Sequence, residues 1–242
     1  PLLAEKGYSL VLVARREERL NQLKDDLSKA FPQINVKVHS LDLTDREASA
    51  KLLEAIGGDI DVLVNNAGYG KAGEAAKIDS ELQLKMIDLN VRSLTDLTLT
   101  YVPHMVKRGH GTVLNVGSIV GFLPVPYMSV YAATKAYVLS FSEGLDHELR
   151  GSGVRVQVLC PGSTDSEFHK VAEEGGAAVT QPKAMLMSSK DVACIGVNMI
   201  DRGSTTQVAG FMNRVVSLVP RFLPRKLMTY LSGRLTPAAP QS

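Results

Sequence analysis

Short apolar runs alternate with amphipathic stretches along most of the chain. Residues 9–14 (Ser-Leu-Val-Leu-Val-Ala) are apolar on both faces, the pattern of a strand buried in a parallel sheet. Leucines at 20, 23 and 27 among charged residues predict a helix over 16–30. Residues 36–41 alternate and read as a strand; 45–56 read as a helix with Thr44 at its N-cap. Segments 60–64, 111–116 and 154–159 read as further buried strands, the last stopped by Pro161-Gly162. Long helical stretches are expected over 80–107 and 128–150. Strands and helices in alternation predict an α/β fold: a doubly wound parallel sheet in three layers, with helices on both faces. Residues 163–190, with Gly175 and Gly176, break the rhythm and read as irregular rather than as a strand–helix unit. Nothing divides 1–205, which is expected to form one domain, with 206–242 as its helical and basic extension.

Composition narrows the class without naming a task. The chain has 242 residues, 45% hydrophobic and 21% charged, with a net charge of +2. Such a length buries roughly 70–75% of the unfolded surface and needs no disulfide or metal staple. Ordinary apolar content excludes disorder as the main state, and the near-neutral balance argues against nucleic acid as a partner. Cys160 and Cys194 suit a reducing compartment, and the histidines at 39, 104, 110, 147 and 169 lack metal-ligand spacing. No apolar run reaches the roughly 20 residues of a membrane span. Pro1 to Gly7 read as the end of a helix rather than a signal peptide, so a cytoplasmic location is expected. After Asp201 acidic residues cease, while Arg214, Arg221, Arg225, Lys226 and Arg234 sit among Phe, Leu, Val and Met. That tail reads as a helical extension packed over the core with its cations in water. A basic amphipathic segment over 211–235 resting on a membrane surface is the alternative.

Candidate chemistry lies at strand ends. Asn65-Asn66-Ala67-Gly68 follows the strand at 60–64, and ligands of open parallel sheets sit outside the carboxyl ends of strands. Alone, this turn is equally a tight strand exit with glycine supplying φ > 0. Tyr131-Ala-Ala-Thr-Lys135 places a phenol and an ammonium one helical turn apart. A phenol titrates near 10, and a neighbouring cation is expected to pull that value toward neutrality. Ser118, following Asn115-Val116-Gly117, is expected on the same rim. A hydroxyl donor and a tunable phenol aimed at one carbonyl oxygen meet the needs of ketone reduction, where negative charge grows on that oxygen. A Tyr–Lys pair by itself would be ordinary helix decoration.

The combination resembles the short-chain dehydrogenase/reductase family, in its form of about 250 residues, over residues 1 to about 205. The Asn-Asn-Ala-Gly turn, Asn90, Ser118, Tyr131 with Lys135, and Pro161-Gly162 fall in the family's order. The resemblance implies a Rossmann-like fold and a set of roles. Tyr131 would be the general acid, and Lys135 would bind the nicotinamide ribose and lower the tyrosine pKa. Ser118 would polarise the substrate carbonyl, and Asn90 would hold a water linking Lys135 to solvent. Asn66, Ala67 and Gly68 would flank the adenosine and ribose, while Asp42, followed by Leu43, would contact the adenine. Pro161, Gly162, Thr164 and Ser166 would flank the carboxamide, with Ser166 in place of the family's usual threonine. Where an acidic residue would bind the ribose diol, this chain reads Ala14-Arg15-Arg16. Arginine forks suit a 2′-phosphate, so NADP(H) is expected over NAD(H), although the two arginines could equally open a solvated helix beside Glu17 and Glu18.

The family's first strand and glycine-rich turn would precede Pro1, so the sheet is expected to lack its first strand, and these 242 residues are expected to bind NADPH poorly. The activity expected of the complete protein is reduction of a carbonyl, or oxidation of the alcohol, on a hydrophobic substrate. Residues 122–127, the 163–190 segment and the tail would line its pocket. A homodimer or homotetramer through 80–107 and 128–150 is expected by the same resemblance. A non-catalytic, cofactor-sensing or scaffold protein on the same fold is the alternative, and the intact Asn90, Ser118, Tyr131 and Lys135 set speaks against it.

Overall fold

The computed structural model describes residues 1–165 and 186–235. A short helix α1 (Leu2–Glu5) leads into β1 (Leu10–Ala14), α2 (Glu17–Ala30), β2 (Val36–Ser40), α3 (Ala48–Ile56) and β3 (Val62–Asn65). Helix α4 (Ser80–Ile87) continues through a π-helical turn, Asp88–Ser93, into α5 (Leu94–Arg108). Then come β4 (Gly111–Val116), a 3₁₀ turn at Ile119–Phe122, α6 (Ser129–Glu148) and β5 (Val154–Cys160). Two-residue strands β6 (Thr164–Asp165) and β7 (Met187–Ser188) precede α7 (Ser189–Arg202) and β8 (Thr206–Val208). Helices α8 (Phe211–Leu218) and α9 (Arg225–Leu235) close the described chain.

Every strand pair is parallel, in the orders β2-β1, β3-β4-β5-β8 and β6-β7. Side chains of β4 and β5 alternate between two apolar layers, as the two-sided hydrophobic pattern demands. Val113, Val154 and Val156 meet Val102 and Met105 of α5 on one face. Leu114 and Leu159 meet Met199 of α7 on the other. This is the expected three-layer α/β arrangement. The sheet is also divided. β1 pairs only with β2, and the free edges of β1 and β3 line one cleft of about 1170 Å³, floored by Leu97 and Tyr101 of α5. Among the described residues no strand lies between them. The Tyr101 hydroxyl is buried there without a hydrogen-bond partner among the described residues, and burial pushes its pKa up to about 12.

Several expectations need correction. The helix expected from Asp45 with Thr44 as cap begins instead at Ala48, with Glu47 at the cap. Asp42 accepts from the Thr44 N–H at 2.9 Å and Asp45 from the Glu47 N–H at 3.0 Å. These two side-chain turns hold the backbone out of the helix. The 163–190 segment is not irregular throughout. β6 and β7 pair with each other, and Ser188 caps α7 by accepting from the Asp191 N–H at 3.0 Å; residues 166–185 lie outside the described residues.

The tail does pack over the core, but with much of its polarity reversed. Asn213, Ser217 and Ser232 are buried together with Met228, whereas Phe211, Met212 and Phe222 are exposed. Ser232 donates to the Pro124 carbonyl at 2.7 Å, and Gly233 lies against Pro126.

Candidate active site

β4 and β5 end side by side, and their ends build the site. The Gly117 N–H donates to the Leu159 carbonyl at 2.7 Å and the Ile119 N–H to the Pro161 carbonyl at 2.9 Å. Ser118 therefore leaves the sheet as the cap of the 3₁₀ turn, its Oγ accepting from the Val120 N–H at 3.3 Å. That turn lies directly on α6: a Cβ on Gly121 would come within 2.7 Å of the Lys135 carbonyl. The absence of a side chain at 121 thus sets how closely Ser118 approaches the helix carrying Tyr131 and Lys135.

The three side chains meet. Tyr131 and Ser118 hydrogen-bond to each other, and Lys135 Nζ lies 5.8 Å from the Tyr131 ring centre. Together with Asn66, Gly68, Pro161, Gly162, Ser163 and Thr164 they line a cleft of about 680 Å³ at the carboxyl ends of β3, β4 and β5. Gly68 is placed closely: a Cβ there would sit 2.9 Å from Asn90 Oδ1 and 3.7 Å from Lys135 Nζ. Tyr131 and Lys135 are both buried.

Burial reverses one electrostatic expectation. Loss of water around the phenolate pushes Tyr131 up to about 12, and the Ser118 hydrogen bond offsets only part of this. The same burial lowers Lys135 to about 8. The ammonium is committed to the Val116 carbonyl, to which it donates at 2.7 Å. Lys135 therefore does not bring the tyrosine toward neutrality; desolvation dominates.

Asn90, in the π-helical turn, is a clamp. Its Oδ1 accepts from the Tyr69 N–H at 3.1 Å, and its Nδ2 donates to the Tyr69 carbonyl at 2.9 Å and to Thr134 Oγ1 at 3.1 Å. Both ends of the amide thus tie the turn after β3 to α6. Sequence reasoning missed a second amide chain beneath it. Asn65 Nδ2 donates to Asn115 Oδ1 at 2.9 Å and to Thr98 Oγ1 at 3.0 Å, and Asn115 Nδ2 donates to Ser142 Oγ at 2.9 Å. Its signal was polar residues ending two otherwise apolar strands.

The remaining candidates lie further out. Arg15 and Arg16 are exposed at the carboxyl end of β1, where α2 begins. Asp42 is bound to Thr44; the Thr44 N–H, with its hydroxyl and nearby Arg15, holds the carboxyl below its ordinary range. The Leu43 carbonyl accepts from Ser93, and its side chain lines the cleft between β1 and β3 with Asn66 and Ala67. Ser166 falls outside the described residues. The structure thus gathers Ser118, Tyr131, Lys135, Gly68 and the Pro161–Thr164 loop, with Asn90 directly behind them. It leaves Arg15, Arg16, Asp42 and Leu43 beyond the lining of that cleft.

Residues 2–176 match the profile of the family described as short chain dehydrogenase. The NADP-dependent 3-hydroxy acid dehydrogenase YdfG of Escherichia coli (strain K12) is 36% identical over 197 residues, covering 78% of this chain and 77% of that protein. The very-long-chain 3-oxoacyl-CoA reductase of Mus musculus is 28% identical over 239 residues, covering 96% of this chain and 74% of that protein. Among solved structures, a short-chain dehydrogenase from Sphingobium yanoikuyae in complex with NADPH superposes with a TM-score of 0.80 at 33% identity, covering 91% of this chain and 86% of that one. Sequence, topology and site agree: the chain belongs to the short-chain dehydrogenase/reductase family, oxidoreductases that act on alcohol and carbonyl groups with NAD(P).

Proposed function

We propose that the protein is an NADPH-dependent reductase of carbonyl groups on hydrophobic substrates, running in reverse as an alcohol dehydrogenase. The observation that carries this reading is the hydrogen-bonded Ser118–Tyr131 pair, with Lys135 beside it, in one cleft at the strand ends. The residues fit a dinucleotide. Gly68 presents backbone without a side chain to the cleft, the Lys135 ammonium lies near it, and the exposed Arg15 and Arg16 at the end of β1 support reading a 2′-phosphate rather than a diol. When bound, the reduced dinucleotide supplies the hydride that reaches the carbonyl carbon.

The chain's own groups act on the oxygen. The Ser118 and Tyr131 hydroxyls lie together, so both can donate to one substrate oxygen, and such bonds strengthen as the oxygen becomes negative. Tyr131 then gives its proton to that oxygen as general acid. Lys135 stands one helical turn along, where it would bind the ribose, and Asn90 holds the backbone of the 68–69 turn in place. Tyr131 itself sits in an apolar cluster with Met86, Val125 and Met128, with Tyr69 and Leu123 against it. That surrounding favours an uncharged, hydrophobic group next to the carbonyl, as in 3-oxoacyl chains or bulky ketones. Exposed Leu84, Leu99 and Val106 on α4 and α5 support a homo-oligomer through those helices.

The test is NADPH oxidation by the complete protein against a panel of ketones and 3-oxoacyl thioesters, with a dinucleotide titration alongside. Turnover of at least one hydrophobic member is expected; binding of the dinucleotide with no turnover anywhere would instead favour the non-catalytic alternative.

Two further outcomes follow from the same geometry. Arg15→Ala should lower the preference for NADPH over NADH by roughly tenfold, since a charged bond to phosphate is lost while the diol is unaffected. Equal losses with both dinucleotides would contradict this reading of Arg15. The pH dependence has a definite sign. With its phenol pushed up to about 12, Tyr131 is fully protonated near neutrality, which is the form that reduction requires. Reduction should therefore be flat from about pH 6 to 7, below the Lys135 value of about 8. Alcohol oxidation needs the phenolate, whose fraction grows about tenfold per pH unit below the pKa, so kcat/KM for oxidation should climb toward alkaline pH. An oxidation profile that falls with pH would remove Tyr131 from the role.

A further inference from the structure

We propose that the outer face of α8, the Val219–Arg221 turn and α9 is a docking surface for the headgroup region of an anionic phospholipid bilayer. Water-facing helices normally turn polar residues outward and apolar ones to the core. Here much of the arrangement is inverted. Asn213, Ser217 and Ser232 are buried with Met228, while Phe211 and Phe222 are 78% and 82% exposed. Met212, Leu218, Leu227 and Tyr230 are exposed on the same two helices. Isolated exposed apolar side chains need no explanation, but six gathered on two consecutive helices and their link mark a surface meant to be covered.

Charge decides what covers it. From residue 203 to 242 the chain carries Arg214, Arg221, Arg225, Lys226 and Arg234 and no Asp or Glu. Arg214 Nε donates to the Val208 carbonyl at 3.2 Å, and Arg234 lies 4.7 Å over the Tyr230 ring, so these cations border the apolar face. A second copy of the chain would set five cations against five with no acid to pair them, which opposes a two-fold contact through this face. An anionic bilayer offers both things the face lacks, hydrocarbon for the phenylalanines and phosphate for the cations. Each cation near such a surface contributes about fivefold in partitioning. No helix among the described residues is long and apolar enough to cross a membrane, so the helices would lie in the plane of the interface. α9 rests on the segment that borders the Tyr131 cluster: it meets Pro124 and Pro126, and nearby Val125 and Met128 share a buried cluster with Tyr131. A bilayer held there would lie beside the cleft.

Flotation of the full chain with vesicles tests this, using phosphatidylcholine alone and with about a quarter phosphatidylglycerol. Binding to the anionic vesicles is expected, weaker by roughly tenfold on neutral vesicles and again in about 0.5 M salt. A Phe211→Asp/Phe222→Asp double variant and an Arg225→Glu/Lys226→Glu double variant should each lose roughly tenfold or more. All four side chains are exposed, so the thermal midpoint and turnover of a water-soluble ketone should match the parent. No flotation on anionic vesicles, or undiminished flotation of either variant, overturns the proposal. So does a lipid-free dimer, seen by light scattering, that the phenylalanine variant dissolves; the face would then join two copies. Flotation is read without turnover, so a failed catalytic assay leaves this result standing.

Discussion

Tyr131→Phe is expected to lower turnover by roughly a thousandfold while leaving dinucleotide affinity within a few fold, the size of effect typical of removing a general acid. The argument runs through position as much as through the proton. Met86, Val125, Met128 and Ala132 share the buried cluster of the Tyr131 ring, so the benzene ring of phenylalanine should occupy the same place. Only the hydroxyl goes, and with it the bond to Ser118 and the proton for the substrate oxygen. Single-turnover reduction with saturating NADPH and a hydrophobic ketone measures it, with fluorescence titration reporting the dinucleotide. A variant retaining a tenth of parental turnover would mean that the proton comes from elsewhere. A variant that neither reduces nor binds would mean that the phenol shapes the cofactor site.

Gly153→Ala should be the most damaging small change to stability, by about 3 kcal/mol or more. Two costs add. Gly153 has φ of +80°, a conformation that costs an L-residue about 1 kcal/mol. A Cβ built there would also stand 1.8 Å from the Gly109 carbonyl oxygen, and backbone cannot rotate aside as a side chain does. Gly109 is itself the left-handed cap of α5, at φ +78°. Two glycines therefore let the start of β5 pass against the end of α5, just before Gly111 pairs with Val154. Thermal unfolding followed by circular dichroism should fall by several degrees. Per folded molecule, turnover should hold, because the crossing lies at the opposite end of the strands from Ser118. A midpoint within about one degree of the parent would show that the backbone there yields.

The layered fold was legible because both faces of its central strands are covered. Gly111–Val116 emerged with the limits read from sequence, bounded by glycines at either end, and α6 began one residue from its expected start. β3 was placed two residues early at its start, since Asn65 looked like the beginning of a turn and is instead its last paired residue, opposite Asn115. α7 and β8 escaped notice, although Ser188 with Asp191 is a helix-start pattern that sequence alone displays. Within the site, spacing was enough to bring Ser118, Tyr131 and Lys135 together. What spacing does not carry is solvent exclusion, which decides titration, so the direction of the Tyr131 shift was misjudged. Nor does it reveal partners: Asn90 turned out to hold Tyr69 and Thr134, and Asp42 to hold Thr44. The tail read as packed over the core, and it does so through Asn213, Ser217, Met228 and Ser232 while its phenylalanines stay exposed.

The Asn65–Asn115 bond has a bearing on how the strands find their alignment. A parallel pair built from valines and leucines can slide by two residues and still keep every side chain on its proper face, so greasy contacts alone distinguish such slips poorly. Sliding β3 by two would carry the Asn65 amide away from Asn115, Thr98 and, through Asn115, Ser142. Stranding one such amide in the interior costs about 1–3 kcal/mol, and here several groups would be stranded at once. The chain of amides thus serves as a vernier, admitting one alignment of β3 on β4 and thereby fixing how far along the strands the Gly68 turn stands from Ser118.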